Sequence, residues 1–123
     1  MVLLDTHALI WSIEDSARLS ATARRVIVDG GNVVLASAAS GWEIAIKKAL
    51  GRLSAPDDLE EVIETVGFTR RTITFADARR VGLLPAHHQD PFDRMLVAQA
   101  IEDGVPIVSC DPQIALYDVQ VIW

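Results

Sequence analysis

The sequence lacks most of the features that would mark a secreted, disulfide-stabilised or membrane protein. It has a single cysteine, Cys110, so no internal disulfide is possible. No apolar run reaches membrane-spanning length, and the start, MVLLD, has neither the basic nor the apolar region of a signal peptide. We therefore expect a cytoplasmic protein that does not associate with membranes and that forms a single domain over residues 1–123.

Aromatic and basic residues are also scarce. Aromatic residues make up 6% of the chain, so its hydrophobic half consists mostly of Ala, Val, Ile and Leu, which suits helices packed on a buried sheet. Only 11 basic residues oppose 17 acidic ones, for a formal net charge of −6. Proteins that coat nucleic acids are usually basic, so this balance argues against passive binding to DNA or RNA. The charge balance does not exclude an enzyme that binds the phosphate groups of its substrate through divalent cations.

Alternating apolar runs and helical patterns predict an α/β fold with parallel strands and helical crossovers. Strands are predicted at Val2–Leu4, Val33–Ala36, Arg71–Thr74, Pro106–Ser109 and Val119–Trp123. Helices are predicted at Thr6–Ile13, Ser20–Asp29, Ser37–Leu50, from Pro56, at Phe75–Gly82, from Asp90 to Gly104, and from Asp111 and Pro112.

The segment DPFDRMLVAQA, from Asp90 to Ala100, is the most informative part of the chain. Two carboxylates open a helix that is apolar on nearly every side, and such a helix is a buried one. Asp93 would lie one turn before Val97, where an uncompensated charge is costly. A helix N-terminus, a cation or a metal ion has to compensate it.

Three further acids are expected near the same edge of the sheet. Asp5 and Asp111 directly follow apolar strands, and Glu43 lies in the second turn of the helix after Ala36. Ligands of open parallel sheets bind outside the carboxyl ends of the strands, so these acids can converge with Asp93. Two charges roughly 5 Å apart repel by about 3 kcal/mol at an effective dielectric of about 20. A hard cation such as Mg²⁺ or Mn²⁺ would relieve that repulsion.

Asp90, Asp93 and Asp111 also have a structural explanation as helix caps. A cap is possible for Asp5 as well, but an acid that ends the first buried strand of an α/β domain is a frequent functional position. Asp90 is a suitable N-cap before Pro91, and Asp90 to Asp93 resembles a capping box. We favour the cap for Asp90 and the metal for Asp93. For Asp111, which precedes Pro112, the two interpretations are equally weighted.

Glu43 has a different alternative. It can pair with Lys47 at the i,i+4 spacing on a solvated face. It also borders an apolar stripe of the same helix, so we expect partial burial. The stripe consists of Trp42, Ala45, Ile46, Ala49, Leu50 and Leu53.

With these residues in view, the chain resembles the PIN-domain ribonucleases, specifically the VapC-like toxins of type II toxin–antitoxin pairs. The matching motifs run in family order: LLDTHALIW, SAASGWEIAIKKALGRL, PAHHQDPFDRMLVAQA and IVSCDPQIALYDVQVIW. The resemblance implies a PIN-like three-layer domain over 1–123, with a central, mainly parallel sheet flanked by helices. It also implies a metal-dependent endoribonuclease that hydrolyses RNA phosphodiester bonds and leaves a 5′-phosphate and a 3′-hydroxyl. Mg²⁺ is the expected cofactor, with Mn²⁺ as a substitute.

The resemblance assigns the catalytic and metal-binding roles to Asp5, Glu43, Asp93 and Asp111. It further implies a homodimer and a cognate antitoxin that covers the acidic cleft. The alternative function is a non-catalytic PIN-fold binding or scaffold domain.

Three residues are candidate contacts to RNA or to the antitoxin: Arg94, Lys47 and Trp11. Arg94 could instead pair with Asp90, Lys47 could be an ordinary solvated residue, and Trp11 could serve packing. We interpret His87 and His88 as loop residues.

Overall fold

The computed structural model describes residues 1–123 and confirms the predicted alternation of strands and helices. The strands are β1 (Val2–Leu4), β2 (Val34–Ser37), β3 (Thr69–Arg71), β4 (Ile107–Val108) and β5 (Val121–Ile122). The helices are α1 (Thr6–Ile13), α2 (Ala21–Val28), α3 (Ala38–Ala49), α4 (Leu59–Thr65), α5 (Phe75–Leu83) and α6 (Pro91–Asp103), with a 3₁₀ turn at Ile114–Leu116. None of these helices combines the length and the apolar character needed to cross a bilayer.

The five strands form one parallel sheet in the order β3-β2-β1-β4-β5. Leu3 in the central strand pairs with Leu35 on one side and with Ile107 on the other. The chain first builds outward from β1 to β3 and then returns to place β4 on the opposite side of β1. The carboxyl ends of β1 and β4 therefore form the topological switch point, where parallel sheets bind their ligands.

Helices cover both faces of the sheet, which confirms the three-layer architecture. Leu4 and its neighbours pack with α1, α2 and α4 on one face. Leu3 and Ile107 pack against Leu96 and Val97 of α6 on the other. Because successive strand residues point to opposite faces, the short β1 contributes to both cores.

Three local predictions were wrong at their boundaries. The third strand lies at Thr69–Arg71 and not at Arg71–Thr74, because Thr74 closes a capping box with Asp77 and so begins α5. The helix predicted from Pro56 begins only at Leu59. The last predicted helix is a single 3₁₀ turn that begins at Ile114.

The buried face of α3 also differs from the one its apolar pattern indicated. Trp42 is 60% exposed, Ile46 39% and Leu50 61%, so these three side chains of the stripe face outward. The buried residues of the helix are Ala39, Ser40, Glu43 and Ile44. Small side chains allow α3 to approach the start of α1, where the Thr6 hydroxyl donates to Ser40 Oγ over 3.0 Å. Glu43 is therefore more deeply buried than the partial burial we expected.

A buried polar network joins β2, β3, α5 and α6. Arg71 donates two hydrogen bonds of 2.8 Å to Asp77, which is completely buried. Gln99 Nε2 donates to the same carboxylate over 3.3 Å, while its Oε1 accepts from the Ser37 hydroxyl. Burial alone would raise the pKa of Asp77, but the hydrogen bonds, led by those from Arg71, hold it below its usual value.

Replacement of Asp77 tests this network. Asp77→Ala leaves the largely buried Arg71 without its inner partner, so we expect a loss of about 3–5 kcal/mol in the free energy of unfolding, measured with urea at pH 7. Because the pKa of Asp77 is lowered by folding, its contribution is present above the unfolded carboxyl pKa of about 4 and is lost as the pH falls through the folded value. The difference in the free energy of unfolding between wild type and Asp77→Ala should therefore become smaller at acidic pH.

Asp103→Ala is the matched control, since Asp103 is the outer partner of the same arginine. We expect it to cost about 1 kcal/mol or less. Equal losses in the two variants, or a difference that does not change with pH, would contradict the assignment.

Candidate metal centre

The four acids singled out in the sequence line one cleft, of about 80 Å³, at the carboxyl ends of β1 and β4. Its lining residues are Asp5, Thr6, His7, Glu43, Lys47, Asp90, Asp93 and Asp111. Five of these eight are acids, and none is hydrophobic. The cleft is therefore strongly electronegative and selects for cations.

Asp5 ends β1 and also caps α1. Its Oδ1 accepts a hydrogen bond of 2.7 Å from the Ala8 backbone N–H. Burial raises the pKa of Asp5, although hydrogen bonds from the Ser109 hydroxyl and from Ala8 oppose the rise. Ser109 also accepts from the Asp111 N–H over 3.0 Å, so one buried hydroxyl connects the acids after β1 and β4.

Asp90 is the N-cap of α6, and its Oδ1 accepts from the backbone N–H of Phe92 (2.8 Å) and of Asp93 (3.3 Å). The reciprocal half of a capping box is absent, because the Asp90 N–H donates to His88 Nδ1 over 3.1 Å. The Asp93 carboxylate is thus directed into the cleft. Burial raises the pKa of Asp93 to about 7, with Asp90, Glu43 and Asp5 adding to the rise and His88 opposing it.

Glu43 uses its two carboxylate oxygens differently. Lys47 Nζ lies 2.6 Å from Oε2, so the i,i+4 pair suggested by the sequence is present. The second oxygen, Oε1, is buried and has no hydrogen-bond partner. A buried acceptor left unsatisfied costs about 1–3 kcal/mol, more when it is charged. A cation in the cleft would satisfy it.

His88 contacts the acids, a role that the sequence did not reveal. Its Nε2 lies 3.1 Å from Asp93 Oδ2 and 2.9 Å from Asp111 Oδ2. Because Nδ1 accepts the Asp90 N–H, the neutral ring carries its proton on Nε2 and donates to the two acids. Metal-ligating histidines normally donate, and do not accept, through their second nitrogen. His88 thus acts as a donor to Asp93 and Asp111, although the three groups lie close enough to suggest a ligand set.

The three candidate contact residues occupy different environments. Lys47 lines the cleft. The Arg94 guanidinium donates to the backbone carbonyl oxygens of Val81 (3.0 Å) and Pro85 (2.9 Å), so it holds the loop before α6 and does not pair with Asp90. Trp11 is half-buried and stacks on His7.

The donor set fits a hard divalent cation. Carboxylate oxygens are the ligands that Mg²⁺ and Mn²⁺ prefer. Burial raises the pKa values of Asp5 and Asp93, which disfavours their charged forms in the absence of a cation, and one buried oxygen of Glu43 has no partner. Asp111 has one oxygen engaged by the Gln113 N–H at 2.8 Å and the other near His88.

Comparisons with known proteins agree with this geometry. A family model described as the PIN domain matches residues 2–120. Ribonuclease VapC22 of Mycobacterium tuberculosis is 34% identical over 117 residues, which cover 89% of this chain and 86% of that protein.

Solved structures share the fold at low sequence identity. VapBC2 from Rickettsia felis, bound to a DNA fragment from its promoter, matches with a TM-score of 0.70 and 10% identity over 98% of this chain and 97% of that chain. FitAcB from Neisseria gonorrhoeae matches with a TM-score of 0.62 and 16% identity over 98% and 96%. A toxin–antitoxin complex from Klebsiella pneumoniae matches with a TM-score of 0.61 and 16% identity over 90% and 87%.

The strain in the cleft predicts an unusual pH dependence of stability. Because folding raises the pKa of Asp93 from about 4 to about 7, the metal-free protein should lose stability as the pH rises through this interval, by about 1.4 kcal/mol per pH unit. Asp93→Asn should remove most of this slope, with a remainder from Asp5, whose pKa burial also raises, and should be at least as stable as wild type at pH 8. Urea denaturation in EDTA from pH 5 to 8 measures both effects.

Asp118→Asn serves as control, since Asp118 is an exposed acid outside the cleft. It should leave the slope of the wild type intact. A marked loss of stability in Asp93→Asn at pH 8 would show that Asp93 stabilises the fold as a charged group in the first turn of α6.

Proposed function

This chain belongs to the PIN domain family, and from that premise we propose that it is the ribonuclease toxin of a toxin–antitoxin pair. It would hydrolyse RNA phosphodiester bonds with Mg²⁺ or Mn²⁺ held by the acids of the cleft. One observation carries the proposal: the four acids reach one small cleft from distant parts of the chain, and one buried oxygen of Glu43 has no partner there. The 34% identity to a ribonuclease supports RNA as the substrate.

The geometry suggests a division of labour among the acids. Asp5 and Asp93 would hold the principal ion, because both carboxylates line the cleft and a cation would offset the burial that raises their pKa values. Asp111 would bind directly or through water, with its orientation fixed by the Gln113 N–H. When bound, Mg²⁺ or Mn²⁺ stabilises charge on the phosphate and lowers the pKa of water, as divalent ions do in hydrolases.

Glu43 and His88 have separate parts in this proposal. Glu43 would use Oε1 either to complete the ligand shell of the ion or to orient the attacking water and accept its proton, while Lys47 keeps Oε2 occupied. His88 holds Asp93 and Asp111 in place through its Nε2–H. Nucleophilic attack by a serine or cysteine has no support in the cleft, since neither residue type lines it.

A cognate antitoxin is the proposed protein partner. Two solved structures with this fold are described by their names as a VapBC assembly and a toxin–antitoxin complex. The exposed side chains of Trp42, Ile46 and Leu50 form an apolar surface on α3, the helix that also carries Glu43. A protein that covered this surface would also reach the cleft, so we assign it to the antitoxin.

A second copy of the chain is the other proposed partner. Phe75 is 93% exposed and Leu83 is 70% exposed on α5, and no residue of α5 lines the cleft. Covering these side chains would leave the cleft open, so we assign them to a homodimer. RNA and the antitoxin are both encountered in the cytoplasm, which is the compartment we propose.

Cleavage assays test the enzyme. Purified protein incubated with structured RNAs should cut them in Mg²⁺ or Mn²⁺, leave a 5′-phosphate, and stop cutting in EDTA. Asp5→Asn and Asp93→Asn should lower the rate roughly 1,000-fold or more, because a lost metal site removes several kcal/mol of transition-state stabilisation. Asparagine at position 5 can still cap α1, so a loss of activity in Asp5→Asn reflects the missing negative charge and not a missing cap.

Asp57→Asn is the control for these variants, since Asp57 is an exposed acid outside the cleft. It should cleave like wild type. Chelator-insensitive cleavage would remove the metal mechanism, and metal binding without any cleavage would favour the scaffold alternative.

The two apolar surfaces are tested against each other. Ile46→Asp should weaken binding of the cognate antitoxin at least 10-fold, because a charge is placed at the centre of the α3 surface, and should leave the oligomeric state unchanged. Phe75→Asp should convert the dimer to a monomer and leave antitoxin binding unchanged. Calorimetry measures antitoxin binding and sedimentation measures the oligomeric state. Loss of the dimer in Ile46→Asp, or of antitoxin binding in Phe75→Asp, would overturn the assignments.

A further inference from the structure

His7 stands at the rim of the acidic cleft and has no part in the proposed chemistry. It lies two residues after Asp5, in the first turn of α1, and its side chain is exposed and lines the cleft. The N-cap bond from Ala8 to Asp5 fixes this turn. The backbone of His7 therefore has a fixed position relative to Asp5.

The ring of His7 is backed by two indoles. Its centroid lies 5.4 Å from that of Trp11, one helical turn further on, with an angle of 20° between the planes. Trp11 in turn lies 5.7 Å from Trp123, and both indoles pack against the core on their side of the sheet. Of the three rings, the exposed one is that of His7, at the cleft. One face of the imidazole is thus supported by rigid aromatic groups.

The charge of the cleft makes such a surface useful for RNA. Proteins usually obtain affinity for nucleic acids from Lys and Arg contacts to phosphates. Lys47 is the one Lys or Arg in the cleft, and its Nζ is engaged by Glu43 at 2.6 Å. The chain as a whole carries a net charge of −6. A bound cation would attract the phosphate. Any further affinity for RNA at this cleft has to come from an interaction that does not depend on positively charged side chains.

We propose that His7 is a base-stacking residue, on which an unpaired nucleobase next to the scissile phosphate stacks, with Trp11 and Trp123 as its support. Unpaired RNA bases are commonly held by stacking on aromatic side chains, histidine included. The assignment rests on the proposed function, since the RNA concerned is the substrate. It also changes the role expected for Trp11, whose ring supports the contact and is itself covered by His7.

A binding assay that does not depend on cleavage tests the stacking. The probe is a set of single-stranded oligoribonucleotides with 2-aminopurine at successive positions, titrated with protein in Ca²⁺, with RNA integrity checked on gels. Stacking should quench one position with wild type and with His7→Phe. His7→Ala should abolish that quenching and weaken binding roughly 5- to 150-fold, the range for loss of one stacked base.

Two further variants separate stacking from a structural role. His7→Leu keeps an apolar i,i+4 contact with Trp11 but has no planar face, so it should bind as weakly as His7→Ala while melting near the wild-type temperature. His87→Ala is the matched control, since His87 is also exposed and contacts an aromatic ring, that of Tyr117, but does not line the cleft. It should bind RNA like wild type.

The outcomes distinguish this inference from the proposed function. If the wild type cleaves RNA in Mn²⁺, and His7→Ala or His7→Leu still quenches the probe and binds RNA as tightly as the wild type, the stacking is overturned and the ribonuclease is not. Stacking-dependent binding without cleavage in any divalent metal overturns the ribonuclease and the position of the base beside a scissile phosphate, but supports the stacking on His7. Absence of both RNA binding and cleavage overturns both. A loss confined to antitoxin binding in His7→Ala shows a protein contact in place of a base contact and also overturns the inference.

Discussion

The carboxyl ends of β1 and β4 hold several carboxylates in one small cleft, where partial burial weakens the screening of their repulsion by water. The structure meets this constraint by orienting four of the five acids of the cleft through one oxygen each, while Asp93 contacts His88. Backbone N–H groups hold Asp5, Asp90 and Asp111 through Ala8, Phe92 and Gln113. Lys47 holds Glu43 in the same way. The carboxylates thereby line one cleft, where burial first and the neighbouring acids second raise the pKa of Asp93. The site is therefore prepared for a cation by interactions that belong to helix caps and salt bridges.

This arrangement explains which features of the site could be predicted from the sequence. Apolar runs and the residues after them predict the strands and the acids at their ends, because both are local patterns. The sequence also raised a choice between cap and ligand for Asp90, Asp93 and Asp111. The structure shows that this choice is not exclusive, since Asp90 caps α6 through its Oδ1 and also lines the cleft. Asp111 caps no helix, and its Oδ1 accepts from the Gln113 N–H in the turn before Ile114. The roles of these acids as ligands stay predictions. His88 could not be found in this way, because its contacts with Asp93 and Asp111 depend on the path of a loop that Arg94 holds from α6.

The fold of α3 marks the limit of reasoning from hydrophobic periodicity. The strongest apolar stripe of the chain predicts a buried face, yet the structure buries Ser40 and Glu43 and exposes Trp42 and Leu50. Periodicity identifies a face that avoids water, but it does not say whether the same chain or another molecule covers it. The small residues of the opposite face are what bring α3 close enough to α1 to place Glu43 in the cleft. The site thus has an exposed apolar surface as a consequence of its own geometry, and a protein partner is the economical way to cover that surface.

An acidic protein that acts on RNA has to overcome repulsion from its own substrate. Because Lys47 is committed to Glu43, the cleft offers the phosphate no free cationic side chain. Under the proposed function, metal and phosphate affinities would be coupled, because without a cation the acids would repel the RNA and with one they would hold the ion that the phosphate approaches. A stacked base on His7 would add affinity that is indifferent to charge, and it would do so only for an unpaired nucleotide. The same constraint that crowds the acids would then favour single-stranded RNA, because a base within a duplex cannot present its face to the imidazole.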